Sequence, residues 1–269
     1  MATLSPVGEC PMNTAYRAEA FYYIPSGAHQ LAAFVSQPDN LKSAPVIILC
    51  HGYMGTKSEK CRHFFRLAQK LTACGFLTVR FDFAGCGDSL AHTTDFSLRQ
   101  GVDDICAVYR FLEHNGIGNT AVLGLAGYSL GGLITVRAID RLPALEALCL
   151  IASVEHAILS AAEKFALKFT GTKTVWNKGT ELSMDFVRDF ASAKGAAVLA
   201  QSSLPVQLIY ASADETVPAA HFDAYKKTLN AISPQPVLIK GADHFFSEKP
   251  HQELLDQTAI EFFKKNLFR

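Results

Sequence analysis

Ala121-Val122-Leu123-Gly124-Leu125-Ala126-Gly127-Tyr128-Ser129-Leu130-Gly131-Gly132 decides how this chain folds. The apolar run Ala121–Tyr128 has the composition of a strand buried on both faces. It feeds directly into Gly127-x-Ser129-x-Gly131, and Leu130–Leu142 reads as a helix. A strand that turns this sharply into a helix holds the turn residue in a strained conformation. The positions two residues to either side must therefore carry almost no side chain, and both are glycine. Such a turn projects the Ser129 hydroxyl from the top of a sheet, beside a helix N-terminus whose free N–H groups can stabilise an oxyanion.

Outward from this point the chain alternates strand-like and helix-like segments. Pro45–Cys50, Phe76–Phe81, Leu145–Ile151, Val206–Tyr210 and Pro236–Ile239 are short continuous apolar runs. Ser58–Ala73, Ser97–His114, Ala219–Ala231 and His251–Phe268 lie between or after them, and Phe64, Leu67, Ala68 and Leu71 share one helical face. That alternation predicts a mostly parallel sheet covered by helices on both faces, an α/β architecture. Arg17–Ile24 and Gln30–Val35, around Pro25-Ser26-Gly27, read as an opening antiparallel hairpin. The rhythm breaks between Ala152 and Leu204, where no strand is evident. Ala157–Phe169, a Gly/Thr/Lys-rich stretch near Gly171–Gly179, and Met184–Ala200 predict a helical cap over one end of the sheet. The expected organisation is a core of residues 1–151 and 205–269 with a cap at 152–204.

Composition narrows the partners. The 269 residues are 49% hydrophobic and 19% charged, sufficient for one large core. Lys plus Arg equals Asp plus Glu, so the formal net charge is zero, and neither nucleic acid nor an anionic membrane is the expected partner. The start, Met1-Ala2-Thr3-Leu4-Ser5-Pro6, does not read as a signal peptide, and no apolar stretch is long enough to span a bilayer. Cys50, Cys74, Cys106 and Cys149 sit in or beside apolar runs and read as buried thiols, without the spacing of a zinc site. A cytoplasmic protein with no metal or cofactor, acting on a small molecule, is the expectation, with a homodimer left open.

A serine nucleophile needs a general base within hydrogen-bond reach, and the base needs a carboxylate to fix its tautomer. Asp214 follows the run Val206–Tyr210, and His244 follows Pro236–Ile239. Both fall after the C-terminal ends of strands, where open parallel sheets assemble their sites. Asp243 and Glu215 are competing acids; Asp243 adjoins His244, and adjacent residues rarely face each other correctly, so Asp214 is preferred. Ser129, Asp214 and His244 are the candidate catalytic residues.

The order Ser, Asp, His and several local stretches resemble the α/β-hydrolase fold superfamily over nearly the whole chain. His51-Gly52-Tyr53 follows the Pro45–Cys50 run. Arg80-Phe81-Asp82-Phe83-Ala84-Gly85-Cys86-Gly87-Asp88-Ser89 is similar to the family's D-x-x-G-x-G-x-S loop. Asp214-x-x-Val217-Pro218 and Gly241-x-x-His244-Phe245 also match. The resemblance implies a mostly parallel eight-stranded sheet, a serine esterase mechanism through an acyl-enzyme, and no metal or organic cofactor. It also implies an oxyanion hole from the backbone N–H groups of Leu130 and Tyr53, with His51 anchoring the second donor's loop. The cap most resembles that of cinnamoyl/feruloyl esterase-like carboxylesterases, which hydrolyse esters of aromatic or short acyl groups. Phe165, Phe169 and Trp176 are then candidates to line an acyl pocket, or equally to pack the cap onto the sheet. Thioesterases, monoacylglycerol lipases and peptidases share the frame, and a non-catalytic ligand receptor is the alternative outside enzymes.

Overall fold

Residues 18–39, 43–159, 161–168, 171–177 and 179–268 are described in the computed structural model, the side chains of Ala161, Ala162 and Phe165 excepted. Strands β1 (Glu19–Ser26) and β2 (His29–Ser36) form the expected antiparallel hairpin, turning at Gly27 with φ +59°. Strands β3 (Pro45–Cys50), β4 (Leu77–Phe81), β5 (Asn119–Tyr128) and β6 (Leu145–Ile151) follow the apolar runs closely. Strands β7 (Thr174–Asn177) and β8 (Thr180–Ser183) pair only with each other, and β9 (Val206–Ala211) and β10 (Val237–Ile239) complete the main sheet. Its order is β1-β2-β4-β3-β5-β6-β9-β10, eight strands. Only β2 runs against its neighbours; β4, β3, β5, β6, β9 and β10 are parallel.

The alternation of side chains along each strand divides the core in two. Val46 and Ile48 of β3 face one side with Leu123 and Leu125; Ile47 and Leu49 face the other with Ala126 and Cys149. The first side is covered by α2 (Leu98–His114) and α3 (Leu130–Arg137) through Ile105, Val108, Leu112, Leu133 and Ile134. The second is covered by α1 (His63–Ala73) and α8 (Lys249–Leu267) through Phe64, Leu67, Leu71 and Phe263. Each such fully buried side chain stabilises the fold by about 1.5–3 kcal/mol. No helix among the described residues is long and apolar enough to cross a membrane.

Three expectations are corrected. The first concerns α1, which begins at His63, not Ser58, because Glu59, Cys61 and Arg62 all take positive φ and cannot continue a helix. The second concerns the segment between β6 and β9. It holds α4 (Ala161–Ala166), α5 (Met184–Ser192) and α6 (Gly195–Leu199), but also the β7–β8 hairpin, where no strand was expected. Gly179, at φ +83°, supplies the turn conformation, and the pairing sets Trp176 opposite Glu181. The third is Cys74, which is disulfide-bonded and not a free thiol. It caps the end of α1, half-buried against the second side of the core, so it is not enclosed as Cys50 and Cys149 are. Cys50, Cys106 and Cys149 are buried free thiols.

Candidate active site

Strands β3, β5, β9 and β10 end on the same side of the sheet, and the loops that leave them carry the residues singled out above. At the end of β5 the backbone reverses into α3 within one residue. Ser129 has φ +53° and ψ −119°, a conformation that costs roughly 1–3 kcal/mol for a residue with a side chain. It is held by its own peptide groups: the N–H donates to Ile151 O at 2.9 Å, and the carbonyl accepts from Val154 N at 3.0 Å. A Cβ on Gly127 would lie 2.5 Å from Gly132 Cα, and one on Gly131 would overlap the carbonyl oxygens of Cys50 and His51. The two glycines are thus required by backbone packed against backbone, in addition to the turn.

His244 is buried, and its Nδ1 donates to Asp214 Oδ2 at 2.6 Å. The other carboxylate oxygen of Asp214 accepts the amides of Thr216 at 2.8 Å and Val217 at 2.7 Å, which fixes the acid's plane. Asp243 is turned elsewhere: its carboxylate accepts from the Ser247 amide (2.7 Å) and hydroxyl (2.6 Å). Glu215 is exposed. Among the described residues no hydrogen bond joins the Ser129 hydroxyl to His244 directly. The two loops are tied through Tyr128, whose hydroxyl donates to the His244 carbonyl at 2.6 Å and whose ring lies 5.2 Å from the imidazole. Serine–histidine bonds commonly tighten only when substrate is present.

Leu130 begins α3, so its N–H is one of the helix's unpaired donors. The orientation of the Tyr53 N–H follows from the preceding peptide. Gly52 O accepts from His51 Nδ1 at 2.8 Å and from Gly55 N at 3.1 Å. In a planar trans peptide the Tyr53 N–H then points the opposite way. His51 Nε2 accepts the Phe83 amide at 3.0 Å, so the imidazole is neutral with its proton on Nδ1, and burial lowers its pKa. The ring stitches the loop after β3 to the loop after β4.

The latter loop is itself braced. Asp82, fully buried, accepts from Lys57 N (2.5 Å), Lys57 Nζ (2.6 Å) and Asp88 N (2.8 Å). A Cβ on Gly87 would overlap that carboxylate, which explains the second glycine of the Asp82-x-x-Gly85-x-Gly87-x-Ser89 stretch. Lys57 carries much of this bracing, and Glu59, which accepts the Gly52 amide, braces the loop after β3; neither was singled out from sequence. The available signal was a run of charged residues, Lys57, Glu59, Lys60 and Arg62, in the short span between Gly52 and the apolar face of α1.

The segment between β6 and β9 reaches the same loop. Asn177 donates to the Tyr53 hydroxyl at 3.4 Å and to Glu163 at 3.2 Å, and Phe186 stacks on Tyr53 with centroids 6.1 Å apart. Burial, then Glu163, pushes the half-buried Tyr53 phenol up to about 12. Of the three proposed acyl-pocket residues, Phe169 and the Phe165 side chain lie outside the described residues, and Trp176 is 65% exposed on β7.

One cluster has the residue types of a metal site: Glu155, His156 and His221, with ligand atoms within 4.8 Å of one another. Its geometry serves another purpose. His221 Nδ1, on α7 (Ala219–Lys226), already accepts the Glu155 amide at 3.1 Å, and His156 Nδ1 bonds Glu155 Oε2 at 2.7 Å. The two rings stack at 4.1 Å and 26°, so their in-plane lone pairs run side by side. A zinc ion needs them to converge on one point about 2.0–2.1 Å from each. With Glu155 O accepting Gly195 N at 2.7 Å and Glu155 Oε1 accepting Ala196 N at 3.1 Å, the cluster joins the two ends of the segment between β6 and β9.

Comparison with known proteins agrees with this architecture. Residues 42–189 match the profile of the family described as serine aminopeptidase, S33. The ferulic acid-bound structure of Est1E from Butyrivibrio proteoclasticus superposes with TM-score 0.77 at 23% identity, over 92% of this chain and 99% of that one. Dienelactone hydrolase from Anabaena variabilis gives TM-score 0.67 at 18% identity, over 94% of this chain and all of that one. At these identities the likeness speaks to fold alone, the α/β-hydrolase fold. Among curated proteins, an Escherichia coli protein described as an uncharacterized 31.7 kDa protein in the traX-finO intergenic region is 32% identical over 106 residues. That match spans 39% of this chain and 36% of the relative's length.

Proposed function

Since the chain belongs to the serine aminopeptidase, S33 family of α/β-fold hydrolases, we propose that it is a serine hydrolase cleaving carboxylic esters through Ser129, His244 and Asp214. The observation that carries this reading is the imidazole held by Asp214 at 2.6 Å, on a loop bonded to the residue beside a strained serine. In this mechanism Ser129 attacks the ester carbonyl while His244 accepts its proton, and Asp214 stabilises the imidazolium. The N–H groups of Leu130 and Tyr53 take the charge that develops on the carbonyl oxygen. His244 then returns the proton to the departing alcohol, and water releases the acid by the same steps.

Residues 152–204 serve as the cap of the proposed enzyme, and short-chain or aromatic acyl groups are its substrates, as they are for esterases whose caps this one resembles. Asn177 and Phe186 support the cap's part, since both contact the side chain of Tyr53, the proposed oxyanion donor. A second reading, cleavage of a peptide amide, is favoured by the description of the family.

A fluorophosphonate probe tests the nucleophile: it should label the wild type and leave Ser129→Ala unlabelled. Paired p-nitrophenyl esters and aminoacyl p-nitroanilides then separate the two readings. Turnover confined to the anilides removes the esterase; neither labelling nor turnover removes the enzyme.

A further inference from the structure

Glu59 is the residue the mechanism above leaves unused. It lies on the loop between β3 and α1, and its side chain folds back across that loop. Oε1 accepts the Gly52 amide at 2.5 Å, and Oε2 accepts the Lys60 amide at 3.1 Å. A Cβ on Gly55 would lie 2.7 Å from Oε1, so Gly55 leaves the space the carboxylate occupies. The site of a Cβ on Gly52 lies 3.2 Å from Ser129 Cβ and 3.4 Å from Glu59 Oε1. The carboxylate and the proposed nucleophile therefore both border Gly52.

The backbone bears a cost for this arrangement. Glu59 has φ +56° and ψ 167°, a region that residues with side chains avoid, and Met54, Cys61 and Arg62 of the same loop also have positive φ. A loop so composed does not hold its shape by local preference, and specific bonds must do so. On the far side Lys60 lies over the Phe245 ring at 3.9 Å, next to His244. On the near side the bond is the Glu59 carboxylate.

We propose that Glu59 is a positioning residue for the oxyanion hole. Two peptides precede the Tyr53 nitrogen. The Gly52–Tyr53 peptide is oriented by His51 and Gly55 through its carbonyl. The His51–Gly52 peptide is oriented by Glu59 through its N–H. With both planes fixed, the direction of the Tyr53 N–H is determined before substrate arrives. Charge-assisted bonds of this kind are about twice as strong as neutral ones, which suits a loop carrying backbone strain. The same bond occupies the Gly52 N–H, leaving Tyr53 and Leu130 as the donors.

This inference rests on the esterase reading, and its test separates the two. Steady-state kinetics on a p-nitrophenyl ester, with fluorophosphonate labelling rates, would be measured for the wild type, Glu59→Ala, Glu59→Asp and Glu59→Gln. Glu59→Ala should lose roughly ten- to a hundredfold in kcat and in labelling rate with KM nearly constant, as a misdirected donor does. Glu59→Asp keeps the charge but withdraws the oxygen by one methylene, and should lose comparably. Glu59→Gln keeps an acceptor at the same reach and should recover most of the turnover. The Asp and Gln pair keeps the comparison decisive if Glu59→Ala folds poorly. An active wild type with Glu59→Asp equal to it, or a loss that appears only in KM, overturns the positioning role alone. A wild type that neither labels nor turns over removes the esterase reading, and this inference with it.

Discussion

At the level of single residues, the glycines of the elbow and the acid beside His244 make the sharpest claims. A methyl group on Gly131 meets the carbonyl oxygens of Cys50 and His51, which belong to β3 and its outgoing loop and have no room to retreat. Gly131→Ala should cost about 1–3 kcal/mol of stability, the usual price of overpacking, and shift Ser129 out of place. A urea midpoint equal to the wild type would show that the turn accommodates a side chain after all. For the acid, Asp214 bonds the imidazole while Asp243 is occupied by Ser247. Asp214→Asn should lower kcat by on the order of 10³–10⁴, as loss of the tautomer-fixing carboxylate does elsewhere. Asp243→Asn should lose far less. The opposite ranking would reassign the acid.

Between elements, what could be read from sequence depended on whether local pattern or distant contact set the conformation. β3 and β6 matched their apolar runs at both ends, because strands buried on two faces are dense in apolar residues, with Glu146 the one charged exception in β6. Ser129 and Asp214 stood out as candidates because each follows a strand with a buried C-terminal half, and His244 because it follows the short apolar run that forms β10. The start of α1 was not legible: Ser58–Arg62 has helical composition, yet Glu59, Cys61 and Arg62 take positive φ where Glu59 bonds back to Gly52, a contact distant from the local pattern. Nor was the β7–β8 hairpin, with strands of four residues whose pattern carries no clear period. Tyr128 is the contact that links two elements of the site, since it ends β5 and bonds the loop after β10. Tyr128→Phe removes a bond worth about 0.5–1.5 kcal/mol, and kcat should fall roughly two- to tenfold with KM little changed. An effect on KM alone would mean that Tyr128 does not position His244. Trp176 offers a second measurement, because it is the chain's one tryptophan and 65% exposed. If β7 lines the acyl site, an aromatic carboxylic acid should quench its fluorescence saturably. Unchanged emission, with inhibition still seen, would remove Trp176 from that site.

For the whole molecule, buried histidines couple the fold to acidity, His63 and His221 among them. His63 sits beneath the site against Phe64, Tyr128 and Phe246, with Nε2 unpartnered among the described residues. Burial lowers its pKa from 6.5 to about 4, against an opposing pull from Asp256 and with lesser help from Arg66 and Lys70. His221, where the ends of the segment between β6 and β9 meet, is also lowered to about 4, by burial and by His156 beside it. Both groups stay neutral in the folded chain while the unfolded chain takes up protons below its ordinary value. Their contribution is therefore intact above pH 6.5 and is lost as pH falls from 6.5 toward 4. Within that window each group adds a slope of up to about 1.4 kcal/mol per pH unit. His63→Phe removes one titrating group from an aromatic surround, so its urea midpoint should fall less steeply between about pH 7 and 4.5 than that of the wild type. Curves that stay parallel over that range would mean that His63 protonates freely in the folded protein. The acid sensitivity would then have to come from other groups, His221 first among them, and burial of the ring among Phe64, Tyr128 and Phe246 would not be holding it neutral.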